Sequence, residues 1–361
     1  MSELVTTNER AARFQLALLG SVSALSLLGG AVFNTATAGE QHDPTIWIDV
    51  GGQFEMLSDP QDKWNPDYFS GANAGPLVGT FPNAQKPPRV GYDTNIGISF
   101  HPSDTDWFVS ASAHFGRARR HVNDLKQDKI QTWIFGVNYP TNYGEKVYTT
   151  ESHRLVDFKV GKDVGIGLPG IKSSISLGVR FANLRSRGDA HISSNFVFPF
   201  PFFSYFIAGS VINRAHNLVS HEFAGVGPSV EWKGSLPIAG EPEGGQLAVD
   251  AGLNAAILFG RQTTDRTVDG YYWKRQWDWT QFAYASQIQN AHADTRRRRN
   301  VTVPNLGGFI GASYRLPNVK LSLGYRADMY FNAMDRGVSS FKSEDRGFFG
   351  PYFNLSVGLG G

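Results

Sequence analysis

The chain has 361 residues, a net charge of +2, no cysteine and 40 glycines, with charged residues at 18% and aromatics at 13%. The missing cysteines exclude a disulfide scaffold, a thiol nucleophile and any cysteine-held metal. The near-neutral balance gives no reason to expect nucleic acid as a partner. Soluble domains carry about 25% charged residues, so the low charge, with abundant glycine and aromatics, points away from an ordinary soluble domain.

Residues 1–38 read as a secretory signal. Arg10 and Arg13 precede an apolar stretch at 14–33, and Ala36-Thr37-Ala38 before Gly39 is an A-x-A cleavage pattern. No later segment has the run of about 18 apolar residues that a membrane helix needs. Residues 39–361 are expected to form a single domain.

Alternation of apolar and polar residues then recurs along the chain, the period of extended strands. In a first strand, 45–56, Ile46, Ile48, Val50 and Phe54 oppose Asp49, Gln53 and Glu55. After a long Pro/Gly/Asn loop comes a second, 90–101, with Tyr92, Ile96, Ile98 and Phe100 against Asp93, Asn95 and Ser99. In the third, Trp107, Val109, Ala111, Ala113 and Phe115 oppose Ser110, Ser112 and His114. A second long loop is expected to hold Arg117, Arg119, Arg120 and residues 133–139. The fourth strand sets Val156, Phe158 and Val160 against Asp157, Lys159 and Asp163; the fifth sets Ile175, Leu177, Val179 and Phe181 against Ser176, Gly178 and Arg180.

A third long loop carries the phenylalanine-rich run 196–206, too apolar for a plain external loop and expected to lie at the membrane. The sixth strand sets Ala224, Val226, Val230 and Trp232 against Ser229, Glu231 and Lys233. The seventh sets Leu247, Val249, Ala251, Leu253, Ile257 and Phe259 against Asp250 and Asn254. The longest loop is expected at about 262–300. Next come two runs joined by Pro317-Asn318, turn chemistry that makes them a tight hairpin. Leu306, Ile310, Ala312, Tyr314 and Leu316 share one face of the eighth strand, opposite Arg315. Val319, Leu321, Leu323, Tyr325, Ala327, Met329 and Phe331 share one face of the ninth, opposite Lys320, Arg326 and Asp328. The tenth strand ends the chain with Phe349, Phe353, Leu355, Val357 and Leu359 on the apolar side.

Strands of nine to eleven residues, apolar on one face and polar on the other, match crossings of a lipid bilayer. Long and short connections alternate, as they do between the outer and periplasmic ends of outer-membrane barrels. Lipid offers no partner for an open sheet edge, so the sheet must close. The fold class is therefore all-β: a transmembrane antiparallel up-and-down barrel of ten strands, or twelve if 130–139 or 277–289 adds a hairpin.

The inward set mixes both signs: Asp49, Glu55, Asp93, Asp157, Asp163, Glu231, Asp250 and Asp328 against Lys159, Arg180, Lys233, Arg315, Lys320 and Arg326. Such a lining suits a passage that selects small ions or solutes by its field. The competing expectation is a filled interior, because about eight strands leave room only for side chains. Arg296, Arg297, Arg298 and Arg299 are candidate contacts to lipopolysaccharide phosphates, which guanidinium matches bidentately. Trp47, Trp107 and Trp232 read as interface anchors. His114, His153, His216 and His221 lie near strand ends with no nucleophile elbow, HExxH or paired-acid pattern, so neither an enzyme nor a metal site nor a cofactor is expected.

Four segments carry a family resemblance: Phe223-Ala224-Gly225-Val226-Gly227-Pro228, Ile257-Leu258-Phe259-Gly260-Arg261-Gln262, Leu323-Gly324-Tyr325-Arg326-Ala327-Asp328-Met329-Tyr330, and Phe349-Gly350-Pro351-Tyr352-Phe353. These are similar to the Legionella-type major outer membrane protein family, most clearly in the last third of the chain. The resemblance implies a pore-forming barrel in the outer membrane of a Gram-negative bacterium, reached through the periplasm. The family's best-known members are rich in cysteine and this chain has none, so a homo-oligomer would form without disulfides. The function expected is passive diffusion of small ions or solutes through a charged lumen; the alternative is a structural or adhesive surface barrel with a plugged lumen.

Overall fold

The computed structural model describes residues 45–359 apart from 59–87, 104, 132–137, 166–170, 203–204, 242–243, 279, 282 and 336–342. The expected signal at 1–38 and most of the first long loop lie outside the described residues. Ten strands follow one another: β1 (Ile46–Leu57), β2 (Val90–Phe100), β3 (Trp107–Gln131), β4 (Asn138–Val164), β5 (Lys172–Phe202), β6 (Tyr205–Glu241), β7 (Gly245–Asp278), β8 (Ala283–Leu316), β9 (Val319–Asp335) and β10 (Ser343–Leu359). Each pairs antiparallel with its neighbours in sequence, and β1 pairs with β10 to close the barrel. The twelve-strand alternative fails: Gln131 pairs with Asn138 and Asp278 with Ala283, so the described residues of 130–139 and 277–289 extend the β3–β4 and β7–β8 hairpins.

The lipid-facing wall is the predicted one. Phe54, Ile96, Val109, Phe158, Leu177, Val230, Leu253, Ile310, Leu323 and Phe353 all point outward and are exposed. Transfer of such side chains from water to hydrocarbon is favourable, so a band of this kind on a closed barrel belongs in a bilayer. The short turns are tight: Gly240 and Gly245 flank the β6–β7 turn at φ +83° and +111°, a region open to glycine without a side-chain clash.

The long loops require correction. The regions expected as loops after the third, fifth and seventh strands are largely continuations of the strands themselves. β7 runs on to Asp278, and β8 starts at Ala283, so the expected 262–300 loop is a tall hairpin. Residues 196–202 and 205–206 of the phenylalanine-rich run belong to the ends of β5 and β6. The cause is an inversion of the pattern at the membrane boundary. In β5 the outward residues up to Phe181 are apolar. Beyond it Ala182, Leu184, Ala190 and Ile192 are buried inside, while the outward positions carry Asn183, Arg185, Arg187, Asp189 and His191. In β6 and β7 the same inversion buries Val211, Ala215, Val219, Phe223 and Val268. Period two persists, but water replaces lipid outside, so the apolar residues turn in.

Candidate functional site

The inward positions of the membrane segment enclose a cavity of about 280 Å³. Ten of the fourteen residues named for the lumen border it: Asp49, Asp93, Asp157, Lys159, Arg180, Glu231, Lys233, Asp250, Lys320 and Arg326; Asp163 is instead exposed at the end of β4. Glu55 and Asp328 lie just beyond, beside His153 and Phe348. Arg315 stands apart, its guanidinium 5.6 Å from the Trp47 ring. Trp47 shares its parity with Asp49 and so faces inward, which corrects its expected place at the lipid interface. Trp107 does face outward, with Lys162 5.7 Å from its ring.

At the short-turn end, Asp49 accepts hydrogen bonds from Ser356 and Asn354, and Asp250 pairs with Lys320 at 2.6 Å. Deeper in, Lys159 bridges Asp157 at 3.3 Å and Glu231 at 2.9 Å, and Lys233 reaches Glu231 at 3.4 Å. The inner end of the cavity is a buried polar network. Arg180, 2% exposed, donates through Nε and Nη2 to the two oxygens of Asp157, both at 2.8 Å, and through Nη1 to Asn254 and Asn305. The two parallel bonds fix the guanidinium plane as well as its charge. Arg326 pairs with Asp328 at 2.6 Å and lies 3.3 Å from His114. His114 lies 3.3 Å from Asp93, and His153 lies 3.1 Å from Asp93 and 3.3 Å from Glu55.

Sequence reasoning placed His114 and His153 near strand ends; the structure buries His153 at 4% exposure inside the bore. A local signal existed for its partner position. Gly116 pairs with His153 across β3–β4, and a Cβ there would run into the imidazole ring. Asn254 and Asn305, the other partners of Arg180, carry no signature that separates them from any inward polar residue.

Above this network an apolar layer crosses the bore. It comprises Leu57, Ala118, Leu155, Ala182, Leu184, Phe223, Ala256, Leu258, Val303, Tyr330, Ala333, Met334 and Phe348, drawn from nine of the ten strands. The remaining strand, β2, supplies Gly91, where a Cβ would strike Ala118. Leu184, Phe223, Leu258, Val303 and Tyr330 are fully buried.

A second polar layer lies beyond. Here the arginine run divides by parity. Arg297 pairs inward with Asp335, and Arg299 donates to Gln262 and Ser343, both at 2.6 Å. Arg296 and Arg298 are exposed, and Arg296 pairs with Asp265 at 3.0 Å. Two of the four candidate phosphate contacts thus point into the barrel.

A closed antiparallel barrel with a lipid-facing apolar band and a polar interior defines a transmembrane protein of the bacterial outer membrane. The model of the family described as Legionella pneumophila major outer membrane protein precursor matches residues 94–359, and the chain belongs to that family. No curated protein matches the sequence. Among solved structures, the transport unit of the autotransporter AIDA-I from Escherichia coli is similar at 8% identity and a TM-score of 0.25, covering 94% of this chain and 98% of that one. The translocator domain of autotransporter NalP from Neisseria meningitidis gives 10% identity and a TM-score of 0.21, covering 95% and 96%. OmpT of Vibrio cholerae gives 8% and 0.14, covering 90% and 100%. Similarity at that level says nothing of what this chain does.

Proposed function

We propose that the protein is an outer-membrane channel for small ions, held shut in the state seen here. The observation that carries this reading is the charge-lined cavity ending beneath an apolar layer drawn from nine strands. Ion pairs are a poor way simply to fill a bore, because apolar side chains of similar volume usually do so with equal or greater stability. Charges facing a water-filled cavity instead give a field that sorts ions, and an apolar constriction closes a pore by excluding water. Small ions are the proposed solutes, and the role is non-catalytic. His221, one of the four histidines near strand ends, lies against Thr264 at 3.3 Å. Contact with lipopolysaccharide phosphates falls to Arg298, and to Arg296 where Asp265 releases it.

Planar-bilayer recording tests this. The parent protein should stay mostly silent. Combined Phe223→Ala and Leu258→Ala should give stepwise conductance, and adding Arg326→Ala should move the reversal potential of that current. A folded double variant that conducts nothing would end the channel reading. The full burial of Leu184, Phe223 and Leu258 favours a second reading, a surface barrel whose plugged lumen is purely structural, and that reading would then stand.

A further inference from the structure

Above the membrane band, the outer face of β5–β8 carries a row of histidines and aspartates. Antiparallel register sets His191 directly opposite His216, His216 opposite Asp269, and Asp269 opposite His292. Asp189 precedes His191 by two residues and so shares its face.

The two imidazoles of His191 and His216 lie parallel, 4.2 Å apart at an interplanar angle of 6°. Both Nε2 atoms converge on one carboxylate oxygen, Asp189 Oδ1, at 3.3 Å from His191 and 3.0 Å from His216. Ligand atoms of all three residues lie within 4.8 Å of one another.

The opposite nitrogen of His216, Nδ1, lies 3.4 Å from Asp269 Oδ2. If His216 donates that proton to Asp269, its Nε2 is left as a lone pair aimed at a carboxylate oxygen. A proton there would make an imidazolium stacked on a second imidazole that shares the same acid. A single cation bound to the Asp189 oxygen and both Nε2 atoms satisfies all of them once one imidazole turns out of the stack, because parallel rings aim their lone pairs side by side. A tetrahedral site with bonds of about 2.0–2.1 Å has edges of about 3.3–3.4 Å, and the separations of 3.3 and 3.0 Å from Asp189 Oδ1 lie at and just below that length.

We infer that Asp189, His191 and His216 form a binding site for a borderline divalent cation of the zinc class on the outer wall of the barrel. Imidazole nitrogen and one carboxylate suit such ions better than calcium or magnesium, which prefer all-oxygen sets. Asp269 is a positioning residue. A carboxylate on the far nitrogen of a ligating histidine fixes the tautomer and strengthens the ligand. His292 in turn holds Asp269 at 2.6 Å and Asp294 at 3.1 Å, which orients that carboxylate. Three protein ligands leave a fourth position for water or an external donor. The site lies outside the bore and does not depend on whether the channel opens.

The test uses refolded full-length protein in detergent, stripped with a chelator and titrated with Zn²⁺, and with Co²⁺ for its visible ligand-field bands. One equivalent of Zn²⁺ should bind, and Co²⁺ should give the strong bands of a tetrahedral site. His216→Gln and, separately, His191→Gln should abolish both signals. Asp269→Asn should keep the stoichiometry and weaken affinity about 10–100-fold. His121→Asn, at a histidine stacked on Tyr148 elsewhere on the wall, should change nothing. Heat-modifiable gel migration confirms that each variant is folded. Absence of a bound equivalent in the folded parent, or binding that survives His216→Gln and His191→Gln, would overturn the site and leave His216 as a histidine hydrogen-bonded between two acids.

Discussion

The lower and upper halves of β7 obey opposite rules on the same unbroken strand. From Leu247 to Phe259 the outward side chains are apolar, and Asp250 and Asn254 are buried inside. From Arg261 onward the outward side chains are Arg261, Thr263, Asp265, Thr267 and Asp269, and the inward ones are Gln262, Thr264, Arg266 and Val268. Hydrogen bonding between strands is unchanged across the boundary. What changes is the solvent outside. Lipid rewards apolar side chains and water rewards polar ones, so the same ladder changes what it presents outward, and Val268 turns in among Gln262, Thr264 and Arg266. The upper wall continues for about 55 Å along the strand at roughly 3.3 Å per residue.

This contrast can be broken at several points. The largest effect is expected where the apolar layer of the interior is thinned: Phe223→Ala should cost about 3–5 kcal/mol, the usual range for a buried aromatic, measured by urea unfolding in detergent. Slightly smaller, Leu253→Arg puts a charge at the middle of the lipid face and should cost about 2–4 kcal/mol. Thr263→Arg, on the same strand and face but above the band, should stay within about 0.5 kcal/mol, as surface substitutions do. Equal costs for these two arginines would remove the boundary proposed here. The smallest effect concerns pH on the upper wall. Hydrogen bonds from His292 to Asp269 and Asp294 raise its pKa above the ordinary 6.5. The stabilisation this brings is fully present below 6.5 and is lost as pH rises through the raised value. A side-chain NMR titration of chelator-treated protein should find the raised pKa, and Asp294→Asn should lower it.

The sequence made the lower half readable because lipid leaves an unmistakable mark: apolar residues at every second position with ionised ones between. Ten strands, their faces and the sign-mixed interior follow from that mark alone. The upper half hid itself by inversion. Residues such as Arg185, Arg187 and Asp189 look like loop residues when apolar outward positions define a strand, yet Leu184, Ala190 and Ile192 keep the period on the other face. Contacts set by register were less legible still. Nothing local announces that Asn254 and Asn305 meet Arg180, since they come from strands far apart in sequence. His191 and His216 are 25 positions apart, and only the β5–β6 pairing makes them neighbours. The division of Arg296–Arg299 between outside and inside follows from period two once the strand is known to extend there, but not from a segment taken as a loop.

The seam between β1 and β10 has a consequence for assembly. Every other ladder joins segments adjacent along the polypeptide, so each can zip up as a hairpin soon after its turn forms. The seam alone brings Ile46 against Leu359, a closure spanning nearly all of the described residues, and distant closures form late because their entropy must be met before their contacts count. Until that last ladder is made, both terminal strands carry unpaired amides that hydrocarbon will not tolerate. Entry into the bilayer and joining of the two ends are therefore a single event, and a lesion at the seam would delay both together.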